Sequence, residues 1–289
     1  MKILITGSSG FVGRHFARAL DGLDLTLVDL MTGTDARDFF RTNHTRFDLV
    51  IHLAAVVGGR AQIEGAPLSL AVDLAIDADL FTWAMRTRPR RVVYFSSSAA
   101  YPVDLQNDFA RPHRLREIDL KLTGNVGNPD LTYGWAKLTG EQLAQHAEND
   151  GLRIHVVRPF SGYGEDQDLT YPFPAFIRRA VQREDPFTIW GDGNQVRDWI
   201  HIDDIVAATL AVVEENVSGP VNLCTGRDIS FGELARLVCQ QAGYEPELTH
   251  ILDAPQGVAY RVGDPTKLHT FYTPKIALED GIARALAAK

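Results

Sequence analysis

The sequence predicts an α/β fold: a Rossmann-type, doubly wound parallel sheet followed by a smaller C-terminal substrate-binding lobe. Three observations predict it. Short β-branched apolar runs alternate with helical patterns through the first half of the chain. A glycine-rich turn, TGSSGFVG at 6–13, joins the first run to the first helical pattern. An aspartate, Asp29, closes the second run about 20 residues further on, as a dinucleotide site requires.

In chain order, KILIT (2–6) reads as a buried strand and GFVGRHFARALDG as a helix with apolar residues at helical spacing. LTLVDL (25–30) is a second strand, DARDFFRTNH a short helix and DLVIHLAA (48–55) a third strand. A longer helix is expected from Pro67 to Arg88, then a fourth strand in RVVYFSSSAAY (91–101). The segment LTYGWAKLTGEQLA (131–144) reads as a helix, and LRIHVVRPF (152–160) as the next strand. Strands apolar on both faces and separated by helices imply parallel pairing with right-handed crossovers. After about residue 165 shorter strands, turns and helices mix, which divides the chain into a Rossmann domain over 1–165, rejoined at about 194–223, and a mainly substrate-binding lobe over 166–289. Without repeats, low-complexity tracts or a long linker, the two should pack tightly, with the ligand cleft between them.

Composition narrows the function. The chain has 289 residues and a formal net charge of −8, with Lys and Arg scattered, so it carries no basic footprint for nucleic acid. Two cysteines, Cys224 and Cys239, without CxxC spacing suggest neither a disulfide scaffold nor a metal site. The N-terminus runs directly into a strand rather than into a leader, and no apolar run approaches the roughly 18 residues of a membrane span. A cytoplasmic location is expected.

The glycine motif places Gly7, Ser9, Gly10, Phe11, Val12 and Gly13 around a pyrophosphate: glycines for a tight turn, close backbone approach and close helix packing, and a helix N-terminus for the negative charge. Asp29 would accept hydrogen bonds from the adenosine ribose and repel a 2′-phosphate, so NAD is the expected cofactor. No arginine follows immediately to cradle such a phosphate; Arg37 is the nearest. Tyr133 and Lys137 stand four residues apart, on one helix face, so both reach one small volume. Tyr133 would exchange a proton with a sugar hydroxyl or carbonyl; Lys137 would lower the Tyr pKa and hold the nicotinamide ribose. Ser97 or Ser98, at the end of the fourth strand, would bond the same substrate oxygen.

Taken in order, TGSSGFVG, HLAA (52–55), FSSSAAY, YGWAK, RPFSGYG (158–164) and RDWIHIDD (197–204) resemble the extended short-chain dehydrogenases/reductases, in the branch of NAD-dependent nucleotide-sugar epimerases and dehydratases. The resemblance runs to RVGDPTKL (261–268). It implies hydride transfer at a sugar carbon, with Leu53, Ala54, Ala55 and Pro159 beside the cofactor. It also implies Ser97 as the catalytic hydroxyl, counted back from Tyr101, with Ser98 as its neighbour. Arg197 and Arg261 match positions that grip the substrate diphosphate, where forked guanidinium donors suit the charge. Ser161 stands where the family has Asn, and Phe173 or Phe176 would line the base pocket. The helices near 67–88 and 135–148 match those that relatives bury in a homodimer.

Two departures narrow the reaction. The Asp–Glu pair of the 4,6-dehydratases is replaced by Ser98 and Ala99, and the Cys of 3,5-epimerising relatives by Ala99. Oxidation and reduction at C4 remain. The preferred reading is a nucleotide-sugar 4-epimerase that keeps NAD; the alternative is a 4-keto-sugar reductase, like the GDP-fucose synthases, using NAD(P)H. A non-catalytic NAD-binding sensor is the third reading, disfavoured because Tyr133 and Lys137 are both present.

Overall fold

The computed structural model describes residues 1–58, 60–124 and 126–289. The first half runs β1 (Lys2–Thr6), α1 (Phe11–Ala19), β2 (Asp24–Val28), α2 (Ala36–Thr42), β3 (Leu49–His52), α3 (Arg60–Gly65), α4 (Ser69–Thr87), β4 (Val92–Phe95), α5 (Leu131–Asn149) and β5 (Ile154–Pro159). The second runs β6 (Ser161–Tyr163), α6 (Pro172–Val181), β7 (Phe187–Trp190), β8 (Val196–Arg197), β9 (Trp199–His201), α7 (Ile202–Glu214), β10 (Val221–Leu223), β11 (Ile229–Ser230), α8 (Phe231–Gln241), β12 (Leu248–Ile251), β13 (Tyr260–Arg261) and α9 (Leu278–Ala287).

Six strands form one parallel sheet in the order β10-β5-β4-β3-β1-β2. Ile3, Leu4 and Ile5 are fully buried because both faces of the sheet are covered. On one face α1 and α7 pack together, and Phe16, Ile205 and Val212 form a core with Ile3 and Ile5. On the other, α2, α4 and α5 bury Phe40, Leu80 and Trp83 against Leu4, Val50 and Tyr94. A third cluster, around Tyr163, Phe176, Phe187, Trp199 and Ile282, joins α6, α8 and α9 to the small sheets. Trp83 is fully buried; truncating it to Ala would cost about 3–5 kcal/mol.

The chain leaves β1 toward β2 on one side and reaches β3, β4 and β5 on the other. The switch point therefore lies between β1 and β3, where ligands bind in open parallel sheets. Two expected strands end early for a local reason. The Asp29 carboxylate accepts from the Met31 N–H and starts a 3-10 turn, so β2 stops at Val28. Ser97 does the same to Ala99, so β4 stops at Phe95 instead of running to 101. The third expected strand, 48–55, ends at His52 and opens into a loop. Helix α3 is not anticipated by the sequence pattern.

Candidate active site

Two cavities open at the carboxyl edge of the large sheet, one of about 580 Å³ and one of about 470 Å³. They share a wall that includes Ser97, Tyr133, Phe160 and Tyr171.

The first lies over the switch point. Gly7, Ser9, Gly10, Phe11, Val12, Gly13, Asp29, Leu53, Ala54, Ala55, Tyr133, Lys137 and Pro159 all line it. Gly10 caps α1 without a side-chain bond, and no acid sits in the first turn, so that end stays electropositive. A Cβ on Gly13 would lie 2.1 Å from the Gly7 carbonyl oxygen, so only glycine lets α1 start this close to β1. The Ser9 N–H donates to Asp29 Oδ2 at 2.9 Å and the Met31 N–H to Oδ1 at 2.8 Å, which fixes the carboxylate on the cavity rim. A glycine cradle, an uncapped helix start and an oriented carboxylate fit a dinucleotide: phosphates at α1, ribose at Asp29.

At the other end of this cavity stands the pair on α5. Gly134 is what lets the helix lie there: a Cβ on it would come within 2.3 Å of the Ala99 carbonyl oxygen. Lys137 is buried, with Nζ 5.4 Å from the Tyr94 ring centroid and 5.8 Å from that of Tyr133. Burial pulls the Lys137 pKa down, but Tyr133, Asp77 and Asp73 outweigh it, and the net shift is upward. Behind the lysine, Asp77 accepts from the Tyr94 hydroxyl at 2.6 Å and meets His52 Nε2 at 3.2 Å. Asp73 accepts from the Val56 N–H at 2.6 Å, and burial raises its pKa to about 6 despite that bond and Lys137.

The three serines after β4 part ways. Ser96 is buried and bonds Glu141; Ser97 faces both cavities; Ser98 lines only the second. Glu141, one turn past Lys137, also takes a bidentate pair from Arg158 at 2.9 and 2.6 Å, and Arg158 donates to the Tyr101 hydroxyl at 2.8 Å. This buried network ties α5 to β5.

The second cavity is walled by Ser161, Arg197 and Arg261, as the sequence suggests, and by Arg60, Arg178, Arg179 and Trp190. Asp130 is the single carboxylate on its wall among the described residues. It stands at the N-cap of α5 but spends its side chain elsewhere, accepting from Arg261 Nη2 at 2.7 Å and from Arg60 Nη1 at 3.1 and 3.2 Å. Arg197 donates to the Val196 and Val258 carbonyls at 2.8 and 2.9 Å and lies 5.5 Å from the Phe231 ring centroid. No carboxylate among the described residues pairs with it. Burial, then Arg261, lowers its pKa to about 9, with Asp130 opposing and Arg60 adding to the fall. Asp198, the next residue, accepts from the Thr225, Gly226 and Gly263 N–H groups and so holds the segment after Arg261 in place.

Phe173 is placed differently from its expected role. It is 1 % exposed, packs with its ring centroid 4.3 Å from that of Tyr163, and lines neither cavity. Phe176 is the residue of that pair at the wall of the second cavity. Arg60, Asp130 and Trp190 are among the wall residues that sequence reasoning misses. Only Asp130 carried a signal, as a capping residue type at the start of the Tyr133 helix.

A parallel sheet with a dinucleotide cradle and a Tyr–Lys pair at a second, arginine-rich cavity defines a short-chain oxidoreductase architecture. The NAD dependent epimerase/dehydratase family model matches residues 3–224, and the chain belongs to that family. It is thus an enzyme with NAD as cofactor, among nucleotide-sugar epimerases, dehydratases and reductases. It is 24% identical to the GDP-L-colitose synthase of Yersinia pseudotuberculosis over 98% of this chain and 96% of that protein. It is 25% identical to the GDP-L-fucose synthase of Escherichia coli K12 over 98% and 94%. The solved structure of the UDP-glucose 4-epimerase of Thermotoga maritima with UDP-glucose shares the fold, with a TM-score of 0.85, 22% identity, and coverage of 100% of this chain and 98% of that one. No helix among the described residues is long and apolar enough to cross a membrane.

Proposed function

We propose that the protein is a nucleotide-sugar 4-epimerase, with the dinucleotide in the first cavity and the nucleotide sugar in the second. Residues 1–165, with the return through 194–223, then hold mainly the cofactor, and 166–289 mainly the substrate. The observation that carries the reading is the shared wall: Ser97 and Tyr133 face both cavities at once, where a sugar carbon and a nicotinamide would meet.

Bound NAD supplies the acceptor and later the donor of the hydride. Tyr133 takes the proton of the C4 hydroxyl as the C4–H bond breaks, and Ser97 donates a hydrogen bond to the same oxygen as it becomes a ketone. The Lys137 ammonium stabilises the tyrosinate, and Asp77 and Asp73 keep the lysine charged. After the sugar turns, Tyr133 returns the proton while the hydride arrives on the opposite face, so no net oxidation results. Arg197, Arg261 and Arg60 hold the diphosphate, whose charge compensates their crowding. Ser98 lies beside the sugar rather than the cofactor.

A 4-keto-sugar reductase is the second reading, favoured by the likeness to the GDP-L-fucose and GDP-L-colitose synthases. Asp29 speaks for NAD and for the epimerase. The deciding experiment denatures protein purified without added cofactor, assays the released nucleotide, and incubates native enzyme with UDP-, GDP-, CDP- and dTDP-sugars. Near-stoichiometric NAD and C4 isomers formed without additions support the epimerase. Turnover only with supplied NAD(P)H and a 4-keto sugar makes it a reductase. A homodimer through α4 and α5 belongs to the same proposal and is read by sedimentation.

A further inference from the structure

At the adenosine end of the first cavity, the rim carries three charged groups: Asp29, Asp35 and Arg37. Asp29 is fixed by two backbone N–H groups. Asp35 caps α2, accepting from the Arg37 N–H at 2.8 Å. Its carboxylate also takes the Arg37 guanidinium in a fork, with Nε at 3.1 and 3.2 Å and Nη2 at 2.6 Å. Both side chains are partly exposed, at 21% and 35%. A pair this accessible contributes under about 1 kcal/mol to folding, so stability does not account for this engagement. Its evident effect is on the cavity: a guanidinium well suited to a phosphate monoester stands at the ribose end with its Nε–Nη2 edge already taken and its charge matched by Asp35.

We propose that Asp35 is a specificity-determining residue for the cofactor: by holding Arg37 it withholds the one rim cation among the described residues that could take a 2′-phosphate, and so reinforces the exclusion of NADP begun by Asp29. The inference rests on the reading that this cavity holds a dinucleotide. It makes the site a latent NADP site, with the phosphate ligand present but engaged. Among the groups facing the pair, Asp38, Arg41 and Asp79 lie on the outer side of α2 and on α4, and Arg41 meets Asp79 at 2.8 Å, so Asp35 is the partner that commits Arg37.

The test is direct titration of NAD and NADP, followed by calorimetry, on the wild-type protein, Asp35→Asn, Asp35→Asn with Arg37→Ala, and Asp38→Asn. Asparagine keeps the α2 cap, and Asp38→Asn makes the same charge change on an exposed side chain of the same helix. Asp35→Asn is expected to tighten NADP binding about tenfold or more and leave NAD binding unchanged. Adding Arg37→Ala returns NADP binding to the wild-type value, and Asp38→Asn leaves it there. Unchanged NADP binding in Asp35→Asn overturns the proposal, as does a gain that survives loss of Arg37 or appears equally in Asp38→Asn. A wild-type protein that neither carries NAD through purification nor binds either nucleotide overturns the cofactor reading itself, a result distinct from NAD binding with no response to Asp35→Asn.

Discussion

Two cations, Lys137 buried and Arg197 half-buried, sit on opposite sides of the shared wall, and the protein treats them in opposite ways. Lys137 is surrounded by Tyr133, Asp77 and Asp73, which raise its pKa against the cost of burial. Arg197 is surrounded by Arg261 and Arg60, with Asp130 the acid among them, and its pKa falls to about 9. The first cation is neutralised by the fold and is ready before any ligand arrives. The second is short of negative charge until a ligand brings some. A buried charge costs several kcal/mol unless it is matched. Under the proposed function, one cation belongs to the machinery and the other to a receptor.

The contrast can be broken most sharply at Tyr133. Tyr133→Phe keeps the ring beside Lys137 and removes the proposed proton carrier; turnover should fall about 10²–10⁴-fold while NAD binding persists. If turnover survives, the shared wall is not where the proton moves. A smaller effect separates the two cations themselves. Lys137→Met strands Asp73 and Asp77 and should lower unliganded stability by about 3 kcal/mol or more. Arg197→Met should leave the melting temperature nearly unchanged, since lost bonds to Val196 and Val258 are offset by relief of cation crowding. The same variant should weaken nucleotide-sugar binding about 10–100-fold. Equal melting shifts in the two variants would erase the distinction.

The smallest effect is a pH slope. Asp73 titrates at about 6 when folded, against 3.8 as its ordinary value. Between those two values the native chain holds a proton that the unfolded chain has lost, so this group makes stability fall as pH rises from about 4 to about 6. Asp73→Asn should remove that downward component of the melting temperature over this window. A variant whose profile parallels wild type would show that Asp73 is not held by burial behind Lys137.

The cofactor half was legible in the sequence because its parts are local. The glycine turn, Asp29, and Tyr133 with Lys137 each sit within one element or one junction, where spacing fixes geometry. The second cavity is assembled from Arg60, Asp130, Trp190, Arg197 and Arg261, residues that meet only through α3, the start of α5 and the small sheets. Arg197 and Arg261 came from likeness to relatives, not from any pattern of their own. Arg60 lies on a helix too short to announce itself. Phe173 and Phe176 present the same residue type three positions apart, and only the packing of Tyr163 against Phe173 decides which one faces the cavity. Strand ends were overrun at Asp29 and Ser97 because a side chain capping its own downstream backbone leaves no trace in hydrophobic periodicity.

The clasp of Glu141 by Ser96 and Arg158 has a mechanical meaning. A helix can change its seat on a sheet only in coarse increments, about 100° and 1.5 Å for each residue of slip. Any such step would pull Glu141 off Arg158 and strand two charges in the core. Helix α5 therefore behaves as an indexed part with one permitted setting, and the reach of Tyr133 across the shared wall is inherited from that setting. The remaining walls of the second cavity, which come from other elements, are free to diverge without detuning it.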